Sequence, residues 1–324
     1  MPHHPVNVVL VVAVAGALAG GALACGDRSP KSTSGSGATP TASSSTTGPG
    51  KPAAAPALAW NDSSAGSVLV VAGSNPTEAA VVFPHFNDST LGAVTTLDTA
   101  AVNRAHVDLF NRSGPAGQAV LVLATAGTLT GDCTAWPTAH VRSLEQGSAG
   151  VPPAWTVGLQ AGHATSIPMD STPALSPVDS ARRAAEIALV ASTLPNDTAA
   201  AFRGLPFVVR SAGRLALDSG TSVIAAEVIR TVNEEANPRE EHILLVSERD
   251  PVTGKPVAAY FERVSGPEDA VESSEILAAV RLGPRRVPTI VISRDYGDGG
   301  AYTLLERAAP ARWRVRWNSA YTGC

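Results

Sequence analysis

Lysine is nearly missing from this chain: among 324 residues only Lys31, Lys51 and Lys255 occur, and the formal net charge is −4. Such a balance gives no electrostatic footprint for nucleic acid, so no nucleic-acid partner is expected. Local catalytic signatures are missing too. The chain has no Gly-x-Ser-x-Gly, hence no nucleophile elbow. Gly254-Lys255 lacks the upstream glycine of a phosphate loop. His85, His106, His140, His163 and His242 show none of the spacings that build a zinc site, such as two histidines four residues apart on a helix. Asp295 to Gly300 is acidic and glycine-rich but lacks the alternating acids and distant Glu of a calcium loop, and it reads as a hairpin turn. The sequence therefore assigns no catalytic residue, no metal ligand and no cofactor. A Ser/His/Asp set assembled from distant loops would leave no local trace.

Cysteine is scarce as well, and its count is odd: Cys25, Cys133 and Cys324. In a secreted chain an odd count leaves one thiol to account for. Cys25 follows Val8 to Ala24, an apolar run without a charged residue that ends in Ala22-Leu23-Ala24. Small residues at Ala22 and Ala24 suit cleavage by a signal peptidase. With Cys25 set aside, Cys133 and Cys324 remain as a candidate disulfide in an oxidising compartment. Such a bridge would close a long loop, worth roughly 5 kcal/mol in the chain-entropy model.

The stretch Ala22-Leu23-Ala24-Cys25 resembles the signal of bacterial lipoproteins, in which a box of Leu, a small residue and Gly or Ala precedes the cysteine that takes the lipid. Leu23 stands one place nearer the cysteine than that family prefers, and Met1 to Pro5 has no Lys or Arg. The resemblance implies lipid on Cys25 and, through it, a membrane as partner. Ordinary Ala-x-Ala cleavage would instead release a free Cys25 to the periplasm or medium, and a third reading keeps the run as an uncleaved anchor at the short limit for spanning. The body after the linker, the tail from Arg312 to Cys324 especially, is similar to uncharacterised secreted lipoproteins of high-GC bacteria. The layout from Ile276 onward is similar to the strand-turn-strand units of FG-GAP-like repeats, with Gly283-Pro284-Arg285-Arg286 in place of their Asp-rich loop.

Residues 25–57 are dominated by Ser, Thr, Gly, Pro and Ala. They cannot bury enough apolar surface to offset ordering, and they read as a flexible linker. After removal of signal and linker about 265 residues remain, enough for a substantial core. The expected organisation is a signal peptide at 1–24, the linker at 25–57, a β-rich domain at 58–170, and a helix plus antiparallel meander at 171–324. Short apolar runs separated by turn residues carry the β signal. Ser176-Pro177-Val178-Asp179 starts the one clear helix, with a hydroxyl cap, Pro at the first helical position and an acid three residues on. Ala184, Ile187, Ala191 and Leu194 share its apolar face, and Arg182, Arg183 and Glu186 lie away from it. The fold class is thus mainly β, with antiparallel sheets and an amphipathic helix near 177–194 packed on a C-terminal meander.

Two charged stretches stand out. Glu234, Glu235, Glu240 and Glu241 flank Asn237-Pro238 and end at His242, which reads as a solvated loop between strands although its oxygens could hold a cation. Arg312-Trp313-Arg314-Val315-Arg316-Trp317 alternates strictly, placing three Arg on one face of a strand and the apolar residues on the other. That Arg row, Arg312, Arg314 and Arg316, is either a site for phosphate or carboxylate ligands or the exposed face of an edge strand. Residues 219–280 hold twelve acids against five bases and 281–324 three against eight, which favours internal pairing of the two halves. The expectation for function is a lipid-anchored extracytoplasmic protein with a binding or envelope-structural role, its protein or glycan partner undetermined. A secreted hydrolase with a site built from distant loops is the alternative.

Overall fold

The computed structural model describes residues 66–324, apart from 92–93, 95, 101, 129–131, 146–149, 172–174, 196–198, 218–219 and 234–236. The signal run, Cys25, the linker, Glu234 and Glu235 lie outside the described residues. The described residues belong to one compact unit. No helix among the described residues is long and apolar enough to cross a membrane.

The first part of this unit is a closed six-stranded antiparallel barrel. Its strands are β1 (Leu69–Ala72), β2 (Glu78–Val82), β3 (His106–Asn111), β4 (Gly114–Thr125), β5 (Thr138–Ser143) and β6 (Val157–Gln160), with a single helical turn α1 (Asp88–Leu91) after β2. They run in the order β1-β2-β5-β4-β3-β6, and β6 pairs back to β1. Closure leaves no strand edge, and the core is apolar: Leu69, Leu109, Leu121, Val141 and Leu159 are almost fully buried. Gly158 sits opposite both Val70 and Leu109, where a Cβ would come within 2.5 Å of the Val70 Cγ2. Glycine is what lets the closing strand fit. β5 was not foreseen; Thr138, His140 and Arg142 point outward, and only Ala139 and Val141 point in.

Two sheets follow. β7 (Ala164–Ser166) and β8 (Met169–Ser171) lead into α2 (Pro177–Ser192), a 3₁₀ turn at Ala200–Phe202, and then β9 (Val208–Ala216), β10 (Ser222–Val232), β11 (Arg239–Arg249) and β12 (Pro256–Pro267). The second run is β13 (Ser273–Leu282), β14 (Val287–Asp295), β15 (Gly299–Ala309), β16 (Arg312–Asn318) and β17 (Thr322–Gly323). One sheet has the order β12-β11-β10-β9-β8 and the other β16-β15-β14-β13-β7, with β17 beside β15. Both are antiparallel meanders, as expected from short links between long apolar runs. β7 lies before the expected boundary at 170/171 and β8 straddles it, and each joins a sheet made mostly of later strands.

The layers follow from the alternation of side chains. Val223 and Ala225 of β10, with Leu244 and Val246 of β11, meet Ile276, Ile290, Ile292 and Leu305 of the other sheet, forming a sandwich core. Ile224, Ala226, Val228, Ile243 and Leu245 face the opposite way and receive Ile187, Val190, Ala191 and Leu194 of α2. Leu282, Val291, Leu304 and Trp317 face away from the sandwich and join the barrel's core. Helix, sheet, sheet and barrel are thus stacked in that order.

α2 begins as expected, with Ser176 Oγ accepting from the Asp179 amide at 3.2 Å and Pro177 next to the cap. Its charged face differs from expectation: Arg183 is buried, and its Nη1 donates to the Asp170 carbonyl at 2.8 Å. The side chain follows the helix back toward its N-terminus and anchors β8.

The disulfide Cys133–Cys324 joins residues 191 positions apart. Beside it the Thr134 amide donates to the Gly323 carbonyl at 2.9 Å, so the C-terminal tail is stitched to the loop before β5. The same tail holds the β14–β15 turn: Tyr321 Oη donates to Asp298 at 2.7 Å, its ring meets Tyr296 edge-on, and the Cys324 amide donates to the Asp298 carbonyl. Gly297, at φ 83°, makes that turn.

Candidate functional site

At one end of the sandwich the sheets part to leave a cleft of about 420 Å³. Its lining includes Arg210, Glu240, His242, Glu268, Asp269, Ser273 and Asp295. These come from β9, β11, the β12–β13 turn, and the facing ends of β13 and β14. Ser273 and Asp295 are register partners on neighbouring strands, but Arg210, Glu240 and His242 belong to the other sheet, so the stacking of the two meanders is what completes the set.

Residues 240–242 do not form the solvated loop expected from their charge. They belong to β11, where alternation sends Glu240 and His242 toward the facing sheet and Glu241 toward α2. Glu241 is fully buried; Arg230 binds it through Nε at 2.8 Å and also through Nη2, and Arg263 approaches at 3.6 Å. Arg230 further donates to the Phe202 carbonyl at 2.9 Å and lies 4.5 Å over the Phe207 ring. With its hydrogen bonds met on all sides, that pair holds the strand ends together.

His242 is held between two carboxylates. Its Nδ1 lies 3.0 Å from Glu227 Oε1, and its Nε2 lies 2.7 Å from Glu240 Oε2. Between two ionised carboxylates both nitrogens can donate only in the imidazolium form, so this geometry favours the charged ring. Burial opposes that charge, but the hydrogen bonds the ring donates to Glu227 and Glu240 outweigh it and raise the pKa above the ordinary histidine value. Glu227 also accepts the Ser274 amide of β13 at 2.9 Å, so one carboxylate spans the two sheets. Arg210 is the extra residue of a bulge, since Glu227 pairs with Ser211 and Val228 with Val209. The bulge turns its guanidinium toward Glu227, at 3.6 Å.

Neither a protein-family model, nor a curated protein, nor a solved structure matches this chain. The chemistry of the cleft is therefore read from its own atoms. Glu240, Glu268, Asp269 and Asp295 outweigh Arg210 and the imidazolium, giving a field that attracts cations and repels anions. Among the described residues no group of three His, Cys, Asp or Glu is placed to hold a metal ion. Ser273 and Asp295 share the cleft with His242, but the ring has no lone pair to offer Ser273 as a base while both nitrogens donate to carboxylates.

The residues singled out from sequence lie elsewhere. Arg312 is exposed on β16, and Arg314 donates to Glu306 of β15 through Nε at 2.8 Å and Nη2 at 2.6 Å. Arg316 also faces Glu306, at 3.7 Å. None of the three lines the cleft. The strict alternation is broken at Arg316: Leu305 pairs with Val315 and Leu304 with Trp317, so Arg316 is a bulge. Trp313 and Val315 consequently enter the sandwich core, whereas Trp317 enters the barrel side.

The opposed charge of the two halves is expressed across the sandwich. Glu248 of β11 accepts Arg307 Nε at 3.0 Å and Trp313 Nε1 at 3.1 Å. Arg294 of β14 donates to Glu262 of β12 at 2.6 Å, to Thr303 at 2.8 Å and to Glu272. Burial disfavours the Glu248 carboxylate, but those bonds from Arg307 and Trp313 prevail and lower its pKa. The residues missed by sequence reading are Arg210, Glu227, Glu268, Asp269 and Ser273. One signal was present for Glu227, a carboxylate inside the apolar run Val223 to Ile229, where a charge survives only with a partner.

Proposed function

We propose that this protein is a lipid-anchored extracytoplasmic protein with a binding or envelope-structural role, tethered through Cys25 and a polar linker. The observation that carries the reading is the Cys133–Cys324 disulfide, which belongs in an oxidising compartment and leaves Cys25 as the remaining cysteine. A linker of some thirty residues lets a folded body stand tens of ångströms, roughly, from a membrane. The cleft at the end of the sandwich is the candidate seat of binding. Mass spectrometry of the intact mature protein tests the reading: a diacylglyceryl mass on Cys25, with the body oxidised by one bridge, is expected. A chain beginning at an unmodified Cys25 would overturn the anchoring.

A secreted hydrolase is the second reading, and it draws on the meeting of Ser273, His242 and Asp295 in one cleft. It requires that His242 be freed from a carboxylate before it acts as a base. Loss of turnover of ester or peptide substrates in Ser273→Ala, with folding intact, would support it. Absence of turnover in the native protein would end it.

A further inference from the structure

We propose that Glu227, His242 and Glu240 form a proton-operated latch that fastens the two sheets at the mouth of the cleft. His242 lines the cleft, which gives its buried ring a route for protons. While it carries two N–H groups, it bridges Glu227 and Glu240. Loss of one proton leaves a single N–H for two carboxylates and turns a lone pair on the other. The two carboxylates are not equally held. Glu227 is fixed by the Ser274 amide of the opposite sheet and by Arg210, and only 4% of its side chain is exposed. Glu240 keeps one further bond, from Thr231 Oγ1 at 3.2 Å, and sits at the cleft surface. Deprotonation therefore turns the lone pair on Glu240 and releases it into the cleft; the ring, no longer clasped from both sides, then holds Glu227 against the Ser274 amide less firmly.

The groups facing His242 set the direction. Glu227 on β10 and Glu240 on its own strand favour the charged ring, and Glu268, Asp269 and Asp295 across the cleft add to their field. Arg210 on β9 opposes them but is spent on Glu227. The balance agrees with the raised pKa of the ring. A raised histidine pKa stabilises the joint fully below its ordinary value of 6.5, and the contribution is lost as pH rises through the value in the folded protein. The latch stands on this joint alone and needs no ligand in the cleft.

Hydrogen exchange at the Ser274 amide, corrected for the intrinsic rise of exchange with pH, reads the latch directly, alongside an NMR titration of His242 in the native protein. Protection at Ser274 should fall as pH rises through the His242 titration, by about tenfold for each unit of pKa elevation. In His242→Gln the fall should vanish. In Glu240→Gln, which keeps the Glu227 contact, the histidine should titrate lower and the fall should move with it. Should His242→Gln not fold, the native protein and Glu240→Gln decide the matter. Protection independent of pH across the titration, or an unchanged fall in His242→Gln, would overturn the proposal.

Discussion

The barrel and the sandwich solve the same packing problem with different chemistry. Every buried charged side chain among the described residues lies after residue 180, in the sandwich or in the helix packed on it; the barrel core is apolar throughout. A closed barrel pairs the backbone of every strand and encloses its side chains, so aliphatic residues of the right volume suffice. Two facing sheets have open ends. There Glu227, Glu248 and Arg294 tie strands of one sheet to strands of the other, at positions where water would otherwise enter. Aliphatic faces alone can slide past one another, whereas a carboxylate bound to one amide or one guanidinium fixes which residues meet.

This contrast is open to test from both sides, and the largest effects come from orphaned charge. Arg230→Ala leaves the fully buried Glu241 without its main partner, and a loss of about 3–5 kcal/mol is expected in urea denaturation. Leu121→Ala breaks the barrel by a cavity instead, with an expected loss of about 2–5 kcal/mol that does not vary with pH. Removing the disulfide as Cys133→Ser with Cys324→Ser should cost about 2–4 kcal/mol and expose the amides of the β14–β15 turn to exchange, since the tail holds that turn.

A pH series separates the two regions without mutation. Glu248 has a lowered pKa, so its contribution is present above the ordinary carboxylate value and is lost as pH falls through the value in the folded protein. His242 acts in the other direction, its contribution fading as pH rises. Exchange protection in β10 and β11 should thus narrow from both sides, while that of β1 and β3 stays level until global unfolding. Equal pH response in barrel and sandwich would dissolve the contrast. The smallest effect belongs to Arg314→Ala, whose side chain is 57% exposed: a change below about 1 kcal/mol is expected from thermal unfolding.

Much of the fold was legible because local patterns were strong. The apolar runs separated by turn residues became antiparallel strands, and the cap and Pro of α2 located its start. β5 escaped because its inward face is one Ala and one Val, too weak an alternation to stand out from flanking turns. The Arg312 to Trp317 segment was located correctly and its alternation holds as far as Val315, but past it the faces change, because a bulge at Arg316 is set by the partner strand β15. The cleft was hidden for a further reason. Its residues come from five separate segments, and Glu240 to His242 look like any charged loop until β11 places them between two sheets.

By itself, then, the sequence determined the class of fold, the long helix and its cap, and the pairing of Cys133 with Cys324, because each rests on local propensity or on counting. Only the tertiary structure decided which way Arg183, Glu241 and His242 point, that one meander becomes two facing sheets beside a barrel, and that a histidine is clasped by two carboxylates at their joint. A charge is neutralised by whatever the fold brings within about 4 Å, and that distance is not written along the chain.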